Sequence, residues 1–493
     1  GGSDITIKQG YYKSNASSRS LLVLNCNDSG SRCVGNNTCA HPFTGPACLQ
    51  CSLENGYYMS ASAGTCVLCS GKRELIAVAS LLLTASILYQ IAMTVITYKE
   101  NKKIHTRYQH EKRNTVQPGQ FLVLLATYTQ ITYVVANLDE NTVSYLLKAT
   151  NTVGNPYTQV MFSLQCLYLF HIPDPFKALR FQMLVYILSP LIKVIVVIIF
   201  ECFRNLIWRD PDGLGKKKSM VRVGAVAVVL ILLEQPGIVG ILCKYLTCAH
   251  LDPYLSDEFI KTHNSIQCHT DQYNFFKKLV VVPALTFWAF LIPLGIFVIL
   301  YKIRNRLYVS ESLRIVFGNL YNSYHERTYY WGIIIIIFKV LIYVLNSILK
   351  ASPVFKGVLF LWLIQVYFYL LKRKTPYHFR YLYLAENCCC AAYIITLTLV
   401  FIRLSTDHYG IKYACSVMIV ITVAFAGGYI IVNMLGLYFF TVKGFIQNLK
   451  EKRKKKQILL ETLASLRSYH AQYPSRVDRN HRRGAICVNL PER

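Results

Sequence analysis

The sequence predicts an all-α polytopic membrane protein of about nine transmembrane helices behind a small disulfide-rich module, and three observations predict it. Nine long apolar stretches alternate with basic connectors, from Glu74–Tyr98 through Lys412–Phe440. Seven of the 17 cysteines crowd into the segment just before the first stretch. The basic residues fall unevenly on the two sides that alternate threading creates.

The head comes first in the chain. Cys26, Cys33, Cys39, Cys48, Cys51, Cys66 and Cys69 stand in a short stretch rich in Gly and Asn that cannot build an apolar core. That density of Cys reads as a disulfide scaffold in an oxidising compartment. The pairs Cys48-Leu-Gln-Cys51 and Cys66-Val-Leu-Cys69 also have zinc-ligand spacing, and disulfides are the preferred reading outside the cell. Seven is odd, which leaves one thiol for a residue upstream of Gly1 or for another cysteine such as Cys166. Three glycosylation sequons, at Asn15, Asn27 and Asn36, share the stretch and point to the same exoplasmic side. The chain opens Gly-Gly-Ser-Asp without a signal peptide, so a processed or C-terminal piece of a longer protein is expected.

A run of about 20 apolar residues spans the roughly 30 Å of hydrocarbon in a bilayer. The expected spans are 74–98, 120–138, 183–203, 223–242, 279–301, 332–349, 355–371, 385–404 and 412–440. Threading puts segments 99–119, 204–222, 302–331, 372–384 and 441–493 on one side, with 34 of the 53 Lys and Arg. That side is cytoplasmic by the positive-inside rule, with the N-terminus exoplasmic in a plasma or ciliary membrane. The net charge of +28 is then accounted for by orientation and anionic lipid, with no nucleic acid as partner. The run Lys452, Arg453, Lys454, Lys455 and Lys456 is the best lipid contact in the tail.

Ionisable groups in hydrocarbon are costly and mark packing contacts or function. Lys193 and Glu234 lie near the middles of spans three and four and are expected to pair, as a structural ion pair or as part of an ion or proton pathway. Pro236 interrupts the backbone ladder beside Glu234 and could leave carbonyls free for a cation. Lys339 is mid-span, with Glu386 as a candidate partner or with snorkelling as the alternative; Arg403 is expected to snorkel. Gln130 and Asn137 share one face of span two, and Gly427, Gly428 and Asn433 suggest close helix contact or a hinge in span nine. Spans one and seven read as plain lipid-facing helices.

In the connectors, Cys248 and Cys268 bracket the outer loop after span four and are expected to be bridged. The acidic and His residues around them, including Glu258 and His269, show no ordered ligand spacing, so no metal is expected. An interfacial amphipathic helix is expected around Val143–Ala149, and one helix over Tyr308–Trp331 leading into span six. Cys388, Cys389 and Cys390 read as palmitoylation sites or buried thiols. Beyond span nine, Val442–Tyr469 reads as a basic helix with an apolar stripe at Ile458, Leu459, Leu463 and Leu466, and the last 23 residues read as disordered.

Gly10-Tyr-Tyr-Lys-Ser, Cys33-Val-Gly and Phe43-Thr-Gly-Pro-Ala-Cys48-Leu-Gln-Cys51 resemble the membrane-proximal module of large Cys-rich, EGF-like or furin-like surface proteins of ciliates and other protists. In the membrane part, Gln130, Ser163-Leu-Gln-Cys166, Tyr254-Leu-Ser-Asp257, Ile266-Gln-Cys268, Pro283 and Ile292-Pro293 fit the same pattern. Phe317-Gly-Asn-Leu-Tyr321-Asn-Ser-Tyr324, Tyr329-Tyr330-Trp331 and Lys339 fit it too. Family members carry an acidic residue after that Trp, where this chain has Gly332. The resemblance extends weakly to fungal transient-receptor-potential-like and flavin-carrier-like membrane proteins. It implies a surface protein with an EGF-like head, a larger extracellular region and protein partners bound through that region or by lateral assembly.

No nucleotide loop, hydrolase triad order, zinc-protease motif or paired-carboxylate pattern occurs, so neither an enzyme nor a cofactor is expected. Two functions remain. One is a cell-surface anchor or transducer for an adhesin-like or receptor-like region. The other is a transient-receptor-potential-like ion channel responsive to force. A lipid or solute transporter ranks third.

Overall fold

The computed structural model describes residues 72–108, 118–136, 138, 174–207, 214–250, 258–260, 263–349 and 352–472, together with short pieces of the first 71 residues around their strands. Cys26, Cys69, Cys166, Asn15, Asn27, Asn36, Asn137, Val143–Ala149, Asp257 and the tail beyond Gln472 lie outside the described residues.

Described pieces of the head form four antiparallel two-stranded pairs: β1 (Tyr11–Ser14) with β2 (Leu22–Asn25), β3 (Cys33–Gly35) with β4 (Thr38–Cys39), β5 (Phe43–Thr44) with β6 (Gln50–Cys51), and β7 (Tyr57–Met59) with β8 (Cys66–Leu68). Pairs this short are not stable alone in water. Covalent links hold them: Cys39 is bonded to Cys48, Cys51 to Cys66, and Cys33 is also in a disulfide. The buried core is correspondingly small, with Cys33 and Cys48 at its centre and Phe43 against them. Because Cys48, Cys51 and Cys66 are oxidised, the zinc arrangement is excluded.

The rest is helical. The helices are α1 (Lys72–Tyr108), α2 (Pro118–Ala136), α3 (Pro175–Ile207), α4 (Leu214–Leu246), α5 (Asp271–Arg306), α6 (Glu311–Tyr321), α7 (Trp331–Ile348), α8 (Pro353–Lys374), α9 (Arg380–Ser405) and α10 (Tyr409–Gln472). Among the described residues, seven of these, α3, α4, α5, α7, α8, α9 and the Tyr409–Phe439 part of α10, are long and apolar enough to cross a membrane. A shorter apolar helix, Gly119–Val135, lies within α2, and α1 carries the first expected span.

Helix α4 is the hub, packed against α1, α3, α6 and α7, and 67% of its apolar window is buried against 22% of that of α3. Helix α3 shows the opposite face of the same chemistry, with Ile195, Val196, Ile199, Phe200 and Phe203 all exposed. Exposed apolar surface of this kind suits hydrocarbon, since an apolar side chain loses nothing there. The core around Val228, Leu300, Leu307, Leu320, Tyr321, Ile333 and Ile336 ties α4, α5, α6 and α7 together.

Prolines set the irregularities. Helix α5 contains two π-helical turns, Lys277–Val281 and Phe287–Leu291, ending just before Pro283 and Pro293. A proline has no N–H to give, and a widened turn absorbs the missing bond. The Trp288 carbonyl, which the Pro293 nitrogen would otherwise serve in that turn, accepts instead from Gln235 Nε2 of α4 at 2.8 Å. One expectation fails here. Tyr308–Trp331 is not one helix, because the chain leaves α6 at Tyr321 so that Tyr324 can bridge Tyr377. The expected Val442–Tyr469 helix is the continuation of the one begun at Tyr409, since no proline interrupts 409–472.

The chain divides into two compact units, Gly1–Met434 and Leu435–Arg493. In the second, Lys452–Lys456 belong to the helix, and their side chains lie outside the described residues. Ile458 of the expected apolar stripe is exposed.

After α4, the strands β9 (Cys248–His250), β10 (Glu258–Ile260) and β11 (His263–Gln267) form an antiparallel sheet in the order β11-β10-β9. The Cys248–Cys268 disulfide closes it, both cysteines being buried. Closing a loop of this length contributes about 3 kcal/mol in the chain-entropy account. Replacing both cysteines by Ser is expected to release this sheet while the helices persist. Hydrogen exchange of Phe259 and Ile260 would rise sharply, and unchanged exchange would disprove it.

Candidate intramembrane polar site

The structure brings Lys193 and Glu234 together. Lys193 Nζ meets Glu234 Oε1, with side-chain exposures of 21% and 3%. Glu234 takes two more donors, Gln90 Nε2 at 2.6 Å on Oε1 and Ser189 Oγ at 3.0 Å on Oε2. A buried carboxylate is tolerable only when its lone pairs are filled, and here α1 and α3 supply the donors that fill those of Glu234 on α4. Gln90 was hidden in the sequence because a neutral amide in an apolar helix carries no charge signal. Span one is therefore not a plain lipid-facing helix: its Gln90 and Thr97 are buried, as is Asn101 just beyond it on α1. Asn101 Nδ2 also reaches the Ile315 carbonyl and Asn319 Oδ1 on α6, at 3.4 and 3.3 Å.

A second cluster lies across α4. Gln130 of α2 accepts from Lys339 Nζ at 3.2 Å, donates from Nε2 to the Leu233 carbonyl at 3.3 Å, and accepts at its own carbonyl from Tyr343 at 3.4 Å. Gln130 thus joins α2, α4 and α7 close to Pro236, through which α4 runs without interruption. Lys339 is 5% exposed, so it does not snorkel. Glu386 is not its partner either. The Glu386 oxygens accept from the hydroxyls of Tyr367 and Tyr377, at 2.7 and 3.1 Å. Span seven also departs from the plain reading, because Tyr367 projects inward from α8 and stacks on Phe338.

Two further acidic groups were not legible in advance. Glu201 is buried and takes Arg222 in a two-pronged contact at 2.9 Å and 2.9 Å, with Ser219 and Arg204 at 3.0 and 2.6 Å. Glu100 holds the first turn of α2, accepting the Gly119 amide on both oxygens at 2.8 and 2.9 Å. A carboxylate there complements the positive end of the helix. Arg403 donates to Ser416 on α10, so it bonds to protein as well as lying near an end of its helix. Asn433 bonds the Tyr429 carbonyl of its own helix at 2.7 Å rather than a neighbour. Gly427 faces Tyr128, whose hydroxyl reaches the Val423 carbonyl at 3.3 Å, whereas Gly428 faces open space. Of the three adjacent cysteines, Cys389 and Cys390 are buried and Cys388 is partly exposed.

Between these groups lies a cavity of about 70 Å³. Its lining runs from Glu100, Asn101 and Asn319, at the end that bears the basic connectors, to Lys339, Gln130 and Glu386. The joints at that end are stitched by backbone: His325 N donates to the Pro376 carbonyl at 2.9 Å and His378 N to the Ser323 carbonyl at 3.0 Å. His325 and His378 oppose their Nδ1 atoms at 3.4 Å. Burial first, then the neighbouring His325, lowers the His378 pKa from 6.5. The folded joint therefore binds fewer protons than the unfolded chain just below pH 6.5, and stability falls with pH there. Amide exchange over 323–328 and 375–379 is expected to accelerate as pH drops below about 6.5, after correction for intrinsic rates. A flat profile would count against the contact.

At the sheet of β9, β10 and β11, His269 Nε2 and Glu258 Oε2 are 3.0 Å apart and close to the Cys248 sulfur. That sulfur is in a disulfide, so the trio has two donors left and is not a built metal site.

Comparison with known proteins gives a partial match. The chain is 27% identical over 178 residues to Cysteine repeat modular protein A of Toxoplasma gondii, covering 34% of this chain and 6% of that protein. The aligned part is thus a small fraction of that relative. No family model matches, and no solved structure matches. The supported description is a mostly helical, membrane-type protein with a disulfide-rich N-terminal region and partial similarity to a Cys-repeat protein.

Proposed function

We propose that this chain is the membrane-embedded part of a larger cell-surface protein, anchoring and transducing from a cysteine-rich extracellular region of which the EGF-like head is the membrane-proximal end. The observation that carries the reading is how the intramembrane charges are used. Glu234 is filled by Lys193, Gln90 and Ser189, and Glu386 by two tyrosines, each within a local helix contact. Such contacts lock helices to one another. The partial similarity to a large Cys-repeat protein supports the extracellular part of the reading.

In this proposal there are nine spans, the head with Asn15, Asn27 and Asn36 is outside and glycosylated, and the basic tail lies on anionic lipid in the cytoplasm through Lys452–Lys456. Protein partners bind the extracellular region, and no catalysis is involved. A head-tagged chain in intact cells should react with membrane-impermeant biotin and shift on glycosidase treatment, and a tail tag should not react. The reverse labelling pattern would refute the orientation.

The second reading, an ion channel, is favoured by the cavity beside Lys339. Liposomes holding the purified chain should pass no more current under voltage or tension than empty ones. A conductance abolished by Lys339→Met would replace the anchor reading by this one.

A further inference from the structure

We propose that the cavity at Lys339 is a binding site for a small monovalent inorganic anion of the chloride class. Lys339 is buried and carries three N–H donors, yet its single hydrogen-bond partner among the described residues is Gln130 Oε1 at 3.2 Å. No carboxylate lies within ion-pair distance of it there. A desolvated ammonium with one neutral partner is left uncompensated by the described residues, and a bound counter-ion would supply what they do not. The two carboxylates that line the same cavity are already served: Glu386 by the hydroxyls of Tyr367 and Tyr377, and Glu100 by the Gly119 amide. The unmet charge is therefore positive.

Space is available next to it. A cavity of about 70 Å³ holds several water-sized spheres, each needing roughly 10–15 Å³. Apolar residues such as Val123, Leu232 and Ile336 line it together with polar groups spread along its length, among which Lys339, Gln130 and Thr127 stand together. Thr127, one turn before Gln130 on α2, also lines the cavity and brings a hydroxyl to it. The Glu100 carboxylate at one end and Glu386 along the wall disfavour a multiply charged anion, and the volume disfavours a lipid phosphate with its glycerol. The site needs only α2, α4, α7 and their neighbours, so it stands or falls apart from the proposed surface role.

The test uses the purified full chain in neutral detergent, with chloride exchanged for gluconate at constant ionic strength. Wild-type melting temperature should climb by several degrees with chloride and saturate, Thr127→Val should respond at higher chloride, and Lys339→Met should give a flat line. Equal slopes in wild type and Lys339→Met, or no wild-type response, overturn the proposal. A response to added phosphatidic acid in gluconate with none to chloride overturns it in favour of a lipid headgroup. Should Lys339→Met not fold, crystals of wild type grown in bromide decide: an anomalous peak beside Lys339 Nζ supports the site, and its absence there refutes it.

Discussion

Replacing Glu234 by Leu is expected to destabilise the protein by about 3–5 kcal/mol, because it strands Lys193 and leaves Gln90 and Ser189 without their acceptor in a buried place. The loss should exceed that of Lys193→Met, since Lys193 is the more exposed partner and Glu234 would keep two neutral donors. The double variant Lys193→Met with Glu234→Leu should recover much of the loss, because buried ion pairs replaced whole by apolar groups are often neutral. Melting in detergent measures all three. A single Glu234→Leu variant within about 1 kcal/mol of wild type would mean that the pair contributes as little as an exposed one does.

The second large effect belongs to Gly332. A Cβ built there would lie 2.4 Å from the Leu320 carbonyl oxygen and 3.1 Å from its carbon. Those are backbone atoms of α6, which no rotamer change can move. Gly332→Ala is therefore expected to cost about 1–3 kcal/mol, or more if α6 cannot shift. Gly332→Asp, with a larger and charged side chain at the same place, should be worse. Gly295→Ala is the control, because nothing lies within 4 Å of its Cβ position, and it should be neutral or mildly stabilising. If Gly332→Ala and Gly295→Ala melt alike, the tight approach of α6 to α7 is not what holds that joint. A carboxylate there would have to displace the turn that delivers Tyr321 and Tyr324.

Much of this architecture was readable from the chain. An apolar run has a length, and length alone places a helix, so the helices fall where the runs of Ile, Leu, Val and Phe are. The Cys248–Cys268 link was readable because one short polar loop separates its ends. Depth along two successive helices was enough to suggest Lys193 with Glu234, 41 residues apart. The interruption expected at Pro236 does not occur, since α4 is helical throughout, and the widened turns stand instead in α5 before Pro283 and Pro293, where none was expected.

The remaining contacts were decided only by the tertiary structure. Gln90 is 144 residues from Glu234, and Gln130 is 209 residues from Lys339. Apolar periodicity says that a helix has a buried face, and says nothing of which helix covers it. The partners that matter most are neutral amides and hydroxyls, Gln90, Ser189, Gln130, Tyr367 and Tyr377, and a neutral donor in an apolar run leaves no charge pattern to read. The obvious pairing of Lys339 with Glu386 failed for the same reason, since tyrosines supplied the carboxylate and left the ammonium facing a cavity. The sequence by itself determined the medium this protein occupies, the positions of its helices and its oxidised head, because those follow from local composition. Which buried charges are satisfied, and which one is left facing empty space, depended on helix neighbours that only the packed structure specifies.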